Sequence, residues 1–313
     1  MNRRHDHDAL HEDHELDVQL DRMGDEPSAA HGNRHRRQAR QREAAARAPV
    51  GPTLELSIEC SKQEYDWLSS TLGPLIADGV LTDVLFRVKG GKEATVYCCQ
   101  AGPSTGWDLV AAKIYRPPSH RTMRNDWLYR QGRGVTNEGK TVRDDRTLRA
   151  IENRTDFGKG VMRGSWIRHE FDTMLELHRS GVHLPRPLEN AGQVILMGFV
   201  GTRDGGAPTL HEVSLDRTRS LRVLEQLLDD VRRMLSGHVI HADLSAHNVL
   251  YDGQTGWIID LPQAVDPIAN PAALELLVRD CHHLCEYFAR AGVTIDGRAV
   301  ALDLWDRYQR GAL

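Results

Sequence analysis

The chain has 313 residues, 40% of them hydrophobic and 27% charged, with a formal net charge of −4. This length suits one two-lobed domain or two small ones, and the apolar share permits a sizeable core. The charge gives no overall pull toward a polyanion, five scattered cysteines exclude a disulfide framework, and no apolar run is long enough to span a bilayer.

Residues 1–52 read as a disordered tail with too few apolar side chains to recover the entropy of ordering. His5, His7, His11 and His14 lie among acids and can attract a metal. Arg34, Arg36, Arg37, Arg40, Arg42 and Arg47 can touch RNA, although nothing local fixes a geometry for either. There is no apolar segment of the secretory kind at the start, so a reduced, cytoplasmic compartment is expected.

Ser61-Lys62-Gln63-Glu64 is a capping-box pattern and predicts a helix that stops near Gly73-Pro74. Three antiparallel strands follow, at about 83–88, 94–99 and 109–115, with a glycine turn at the first bend. Residues 117–163 are polar, Gly-containing and Arg-rich, and read as a long flexible loop. A helix is predicted from about Ser165 to Arg179, with Phe171, Met174, Leu175 and Leu177 on its apolar side and Gly181 as its stop. Residues 193–197 read as a strand and 198–201 as a connector. Helices are predicted at about 217–236, 271–291 and 297–310, with Pro271 in the first turn of the second. Between the first two lies a hairpin, 249–251 and 257–259, turned by Asp252-Gly253 and Thr255-Gly256. The expected organisation is therefore a tail (1–52), a sheet-bearing lobe (53–197) and a helical lobe (198–313).

The hairpin carries the chemistry. His241-Ala242-Asp243-Leu244-Ser245-Ala246-His247-Asn248 runs into its first strand, and Asp260 follows its second. Phosphoryl transfer asks a protein for positioning and charge neutralisation. Asp243 can take or orient the proton of an attacking hydroxyl. Asn248 and Asp260, drawn together by the hairpin, can share Mg²⁺, which takes a few hard oxygen ligands and keeps water and phosphate in its other positions. Gly90-Gly91-Lys92-Glu93 can cover nucleotide phosphates with backbone N–H groups, though alone it is also an ordinary turn. Cys281 and Cys285, one helical turn apart, have no second ligand pair at zinc spacing, so helix packing is expected of them.

Ala111-Ala112-Lys113-Ile114 resembles the Val-Ala-Ile-Lys strand of protein kinases, whose lysine meets the α/β phosphates and pairs with a helix glutamate. Glu170 is the first choice for that glutamate, with Asp172 and Glu176 as competitors. In order along the chain, residues 90–97, 112–115, 168–171, 195–201, 241–248, 258–265 and the helix bearing Arg279-Asp280-Cys281 resemble the RIO family of atypical protein kinases. The likeness spans about 83–291 and lies nearest the first RIO subgroup or a bacterial branch. Leu261-Pro262-Gln263 after Asp260, in place of Phe-Gly, is a RIO mark, whereas Ala246-His247 replaces the common Glu-Tyr.

The resemblance implies an α+β, two-lobed kinase-like fold with a small antiparallel sheet, a mainly helical second lobe, and neither activation loop nor peptide-docking helices. It implies ATP with Mg²⁺ or Mn²⁺, and phosphorylation of a protein serine or of the chain itself, or ATP hydrolysis. Gly90, Gly91, Lys92, Glu93, Val96, Lys113 and Glu170 would hold the nucleotide. Met197, Phe199 and Val200 would line the adenine slot. Asp243, Asn248 and Lys113 would be catalytic, and Asn248 and Asp260 would bind metal. Two other functions fit the same residues: a small-molecule phosphotransferase of the aminoglycoside or choline kinase type, and a nucleotide-gated module for ribosomal particles or RNA.

Overall fold

The structure, a computed structural model, describes residues 56–91, 93–116, 136–137, 140–153 and 155–313. The expected tail, Lys92 and much of the expected loop lie outside the described residues.

Ser61 caps the first helix as its sequence predicts: its hydroxyl accepts the Glu64 N–H at 3.2 Å. Helix α1 (Lys62–Ala77) then runs through Gly73-Pro74 rather than stopping there. Leu68, Leu72 and Leu75 are buried along its length, and that packing outweighs the hydrogen bond lost at Pro74. The effective stop is Gly79, at a left-handed φ of 70°, where Gly79 N–H donates to Ile76 O and Val80 N–H to Leu75 O.

Strands β1 (Leu81–Gly90), β2 (Ala94–Ala101) and β3 (Leu109–Tyr115) pair as antiparallel neighbours. A two-residue ladder, β4 (Thr136–Asn137) with β5 (Lys140–Thr141), follows. Strands β6 (Pro187–Ala191) and β7 (Val194–Gly198) complete a five-stranded sheet in the order β1-β2-β3-β7-β6. β6 escaped sequence reading because it opens on a proline and carries Glu and Asn, a composition that an edge strand tolerates. A small ladder, β8 (Gly201–Thr202) with β9 (Gly205–Gly206), occupies the expected connector.

The expected loop over 117–163 is corrected at its far end. Helix α2 (Asp145–Glu152) is capped by Asp144, and helix α3 (Asp156–Arg179) starts well before Ser165, capped by Thr155. Gly158, Gly160 and Gly164 depress helix propensity there. Gly158 has a structural task, however: a Cβ on it would stand 2.1 Å from Ala150 O, so its absence lets α3 approach the backbone of α2.

The second lobe holds α4 (Arg217–Ser236), α5 (Ala273–Ala289) and α6 (Gly297–Gln309). The hairpin of β10 (Val249–Tyr251) and β11 (Gly256–Ile258) lies between α4 and α5 in sequence. Pro271 sits in the turn ahead of α5 rather than in its first turn. Cys281 and Cys285 are buried in the core, where burial pushes the Cys281 thiol up to about 12. Both pack as ordinary apolar side chains. No helix among the described residues is long and apolar enough to cross a membrane.

Two cores result. One lies between α1 and the sheet, with Leu68, Leu72, Tyr97, Ala112, Ile114 and Leu196. The other fills the helical lobe and reaches up to the opposite sheet face at Ala111, Tyr115, Ile195 and Met197. The site lies along this second face.

Candidate active site

Side chains alternate across a strand, so Ala112 and Ile114 enter the α1 core while Ala111, Lys113 and Tyr115 turn toward the helical lobe. β3 is laddered on both sides, by β2 and β7, which fixes its position. Lys113 Nζ donates to Glu170 Oε1 at 2.7 Å and to Asp260 Oδ1 at 2.8 Å. The Tyr115 hydroxyl donates to Glu170 Oε2. Asp172 and Glu176 are exposed on α3, and Asp172 pairs with Arg168 instead, so Glu170 is the acid that the fold brings to Lys113.

Burial alone would pull the Lys113 amine down. The Glu170 carboxylate, with Tyr115 and Asp260, outweighs that and holds the ammonium well above the ordinary lysine range. At Asp260 burial pushes upward, but the Lys113 ammonium wins and keeps the carboxyl below the usual range. The Asp260 side chain is 48% exposed, whereas Lys113 and Glu170 are 11% and 1% exposed. The carboxylate that faces the open cleft is thus Asp260.

The hairpin draws the other groups in. Ile259 N–H donates to Asn248 O at 3.0 Å, tying the residue before Asp260 to Asn248. Asn248 Nδ2 donates to Asp243 O at 2.9 Å and approaches Asp243 Oδ2 at 3.3 Å. Asp243 itself is exposed. His241 Nε2 lies 3.1 Å from Ile259 O, a second tie between the 241–248 loop and the segment leading to Asp260.

Ala242 and Asp260 both adopt left-handed φ angles, 66° and 71°. For an L-residue this costs on the order of 1–2 kcal/mol, so surrounding contacts must hold it. At Ala242 the holder is Asp280. Its buried carboxylate accepts Ala242 N–H at 2.7 Å and Leu244 N–H at 3.0 Å, bracketing Asp243, while Arg279 donates to Ala242 O. Burial raises the Asp280 carboxyl above the usual range despite these donors. Sequence reading did not give Asp280 this role. The available signal was a lone carboxylate on the buried stripe formed by Leu276, Leu277, Cys281 and Leu284.

Gly90 ends β1 opposite Thr95, and Gly91 opens the turn to β2 with its N–H donating to Ala94 O at 2.9 Å. Glu93 O accepts Arg116 N–H at 2.9 Å. Val96 stands directly opposite Lys113 in the β2–β3 ladder, and Met197 opposite Ala111 in the β3–β7 ladder. Cross-strand partners share a face, so these side chains line the same surface as the lysine. Phe199 meets Phe86 edge-on at 6.0 Å. The Val200 carbonyl accepts Ala207 N–H at 2.9 Å, just outside the β8–β9 ladder.

A match to the RIO domain covers residues 127–300, more than half of the chain. The RIO-type serine/threonine-protein kinase Rio1 of Haloferax volcanii is 33% identical over 226 residues, which are 71% of this chain and 69% of that protein. The chain belongs to the RIO family. Rio1 of Thermoplasma acidophilum is 34% identical over 131 residues, 42% of this chain and 67% of its own. The serine/threonine-protein kinase RIO1 of Homo sapiens is 27% identical over 228 residues, but the match takes in only 36% of its length. The small sheet lobe, the helical lobe and the Lys113–Glu170–Asp260 cleft between them make up a two-lobed RIO kinase-like domain. Membership in RIO favours a protein kinase over a small-molecule phosphotransferase.

Proposed function

We propose that this chain is an ATP-dependent RIO-type serine/threonine kinase that phosphorylates itself or a protein serine, with Mg²⁺ or Mn²⁺ as its cation. The observation that carries this reading is the Lys113 ammonium held between Glu170 at 2.7 Å and Asp260 at 2.8 Å. A cation fixed by a buried acid on one side and a half-exposed acid on the other is poised to take a nucleotide phosphate. Val96, Met197 and Phe199 supply the apolar surface for adenine. Asp243, exposed and braced through Asp280, orients the acceptor hydroxyl and accepts its proton. Asn248 holds Asp243 in that position.

Asn248 and Asp260 would hold the metal. Among the described residues no three His, Cys, Asp or Glu side chains gather into a ready-made cage. A two-residue oxygen set suits Mg²⁺, which completes its shell with phosphate and water. Once bound, the ion would neutralise charge on the transferring phosphoryl group.

The exposed arginines Arg143, Arg146 and Arg149, in and just ahead of α2, support an anionic partner such as ribosomal RNA. The test is ADP release and self-labelling by the purified chain with γ-labelled ATP and Mg²⁺. Asp243→Ala and Lys113→Ala should each abolish both signals. Unchanged activity in the two variants defeats the proposal, and strong stimulation by one small alcohol would favour the small-molecule reading.

A further inference from the structure

Glu170 is a carboxylate in an almost dry place, 1% exposed, and each of its oxygens has its own donor. Oε1 takes Lys113 Nζ at 2.7 Å, and Oε2 takes the Tyr115 hydroxyl. Lys113 and Tyr115 are two residues apart on β3 and therefore point the same way. Tyr115 is 3% exposed, packed in the core that joins sheet to helical lobe, and its ring centre lies 5.3 Å from Lys113 Nζ. One phenol thus touches both members of the ion pair.

We propose that Tyr115 is a positioning residue of the phosphoryl-transfer site, its hydroxyl locking the Glu170 carboxylate so that Lys113 is held in place before nucleotide arrives. The inference rests on the kinase reading above. A carboxylate with one partner keeps the freedom to turn about its last bond. Lys113 would then be shared unevenly with Asp260, its other acid at 2.8 Å. A second donor on Oε2 fixes the plane of the carboxylate and with it the direction in which Oε1 faces the ammonium. Burial, first of all, pushes the Tyr115 phenol well above its ordinary range, so it remains a neutral donor at working pH. α3 is also tied to the sheet through a contact internal to the domain, which makes the Lys113–Glu170 pair a standing feature of the fold.

Tyr115→Phe removes one oxygen and keeps the ring. The full chain, Tyr115→Phe, Glu170→Ala and the double variant are compared for ATP KM, kcat and ATP dissociation constant in Mg²⁺. Tyr115→Phe should raise the KM and dissociation constant for ATP about three- to tenfold, the scale of one ordinary hydrogen bond. It should change kcat at saturating ATP by less than that. In the Glu170→Ala background the same substitution should shift ATP affinity less than twofold, because the group it positions is gone. Unchanged ATP affinity in Tyr115→Phe overturns the inference, as does an equal penalty with Glu170 absent, which would mark simple ring packing. Wild-type chain that binds no ATP would sink the kinase reading and this inference with it. Normal wild-type binding with an indifferent Tyr115→Phe sinks the inference alone.

Discussion

Lys113 and Asp260 stand 147 residues apart in sequence, yet the ammonium of one meets the carboxylate of the other at 2.8 Å. The contact links the sheet to the hairpin of the helical lobe. Because Glu170 claims the same ammonium, one positive charge serves two negative ones, and the trio is left net negative. Asp243 adds a further acid nearby through Asn248. Such an excess of carboxylate in a partly dry cleft is unfavourable in isolation and favourable once a divalent cation and its phosphates enter.

Replacing Lys113 by Met keeps the apolar stem and deletes the charge. The kcat/KM for ATP should fall by about 100-fold or more, the usual scale for a preorganised electrostatic contact. Stability should also drop, by roughly 3 kcal/mol, because the buried Glu170 loses its counter-ion. Turnover assays and urea unfolding read the two effects. Activity within threefold of wild type would remove Lys113 from the site.

Asp243 makes a different demand. It is exposed, and the role proposed for it is toward the acceptor hydroxyl rather than the nucleotide. Asp243→Asn should therefore lower kcat by about 10²- to 10⁴-fold, the range of general-base catalysis. The ATP dissociation constant should stay near that of wild type. A variant that lost ATP affinity and kept kcat would place Asp243 on the nucleotide instead.

Asp280 acts at one remove. Its carboxylate is the acceptor for the amides on either side of Asp243, at 2.7 and 3.0 Å. Asp280→Ala leaves both amides unpaired in the core, at about 1–3 kcal/mol for each. The left-handed turn at Ala242 would relax, and kcat should fall more than ATP affinity does. Asp280→Asn, with one acceptor oxygen, should be intermediate. Steady-state kinetics beside denaturation curves decide it, and wild-type kcat in Asp280→Ala would show that the clamp does not position the loop.

Much of this site was legible because its signals are local. The Ser61 cap, the helix at 217–236 and the hairpin between Asn248 and Asp260 each depend on residues a few positions apart. Lys113 was legible through its strand pattern. Glu170 was the first choice for its partner, but Asp172 and Glu176 dropped out only through how α3 lies across the sheet, which turns Glu170 inward and leaves the other two exposed. The start of α3 was hidden by Gly158, whose value appears only where Ala150 O presses against it. Nothing periodic in Gly201–Gly206 announces the small β8–β9 ladder, beside which Ala207 N–H donates to Val200 O. Asp280 gave a local hint, a charge in an apolar stripe, but its task requires the loop 36–38 residues earlier to lie against it.

Asp252 offers a test of the hairpin that is independent of catalysis. Its Oδ1 accepts Gln254 N–H at 2.9 Å and Thr255 N–H at 2.8 Å, and its Oδ2 accepts Trp257 Nε1–H at 2.8 Å. Partial burial pushes the carboxyl up, but the Thr255 amide, the Trp257 indole and the Gln254 amide together pull it below the usual carboxylate range. The folded value is thus lower than the unfolded one, which is about 3.9. A group of this kind stabilises the fold fully above the unfolded value and loses that contribution as pH falls through the folded value. Asp252→Ala should cost about 1–2 kcal/mol at pH 7 through the lost hydrogen bonds. The gap between wild type and variant should narrow as pH drops below about 4. Because the same turn sets Asn248 against the strand that leads to Asp260, kcat/KM should fall as well. Urea midpoints at a series of pH values from 7 downward measure the gap, and a difference that stays constant into acid would show that the ionised carboxylate does not hold the turn.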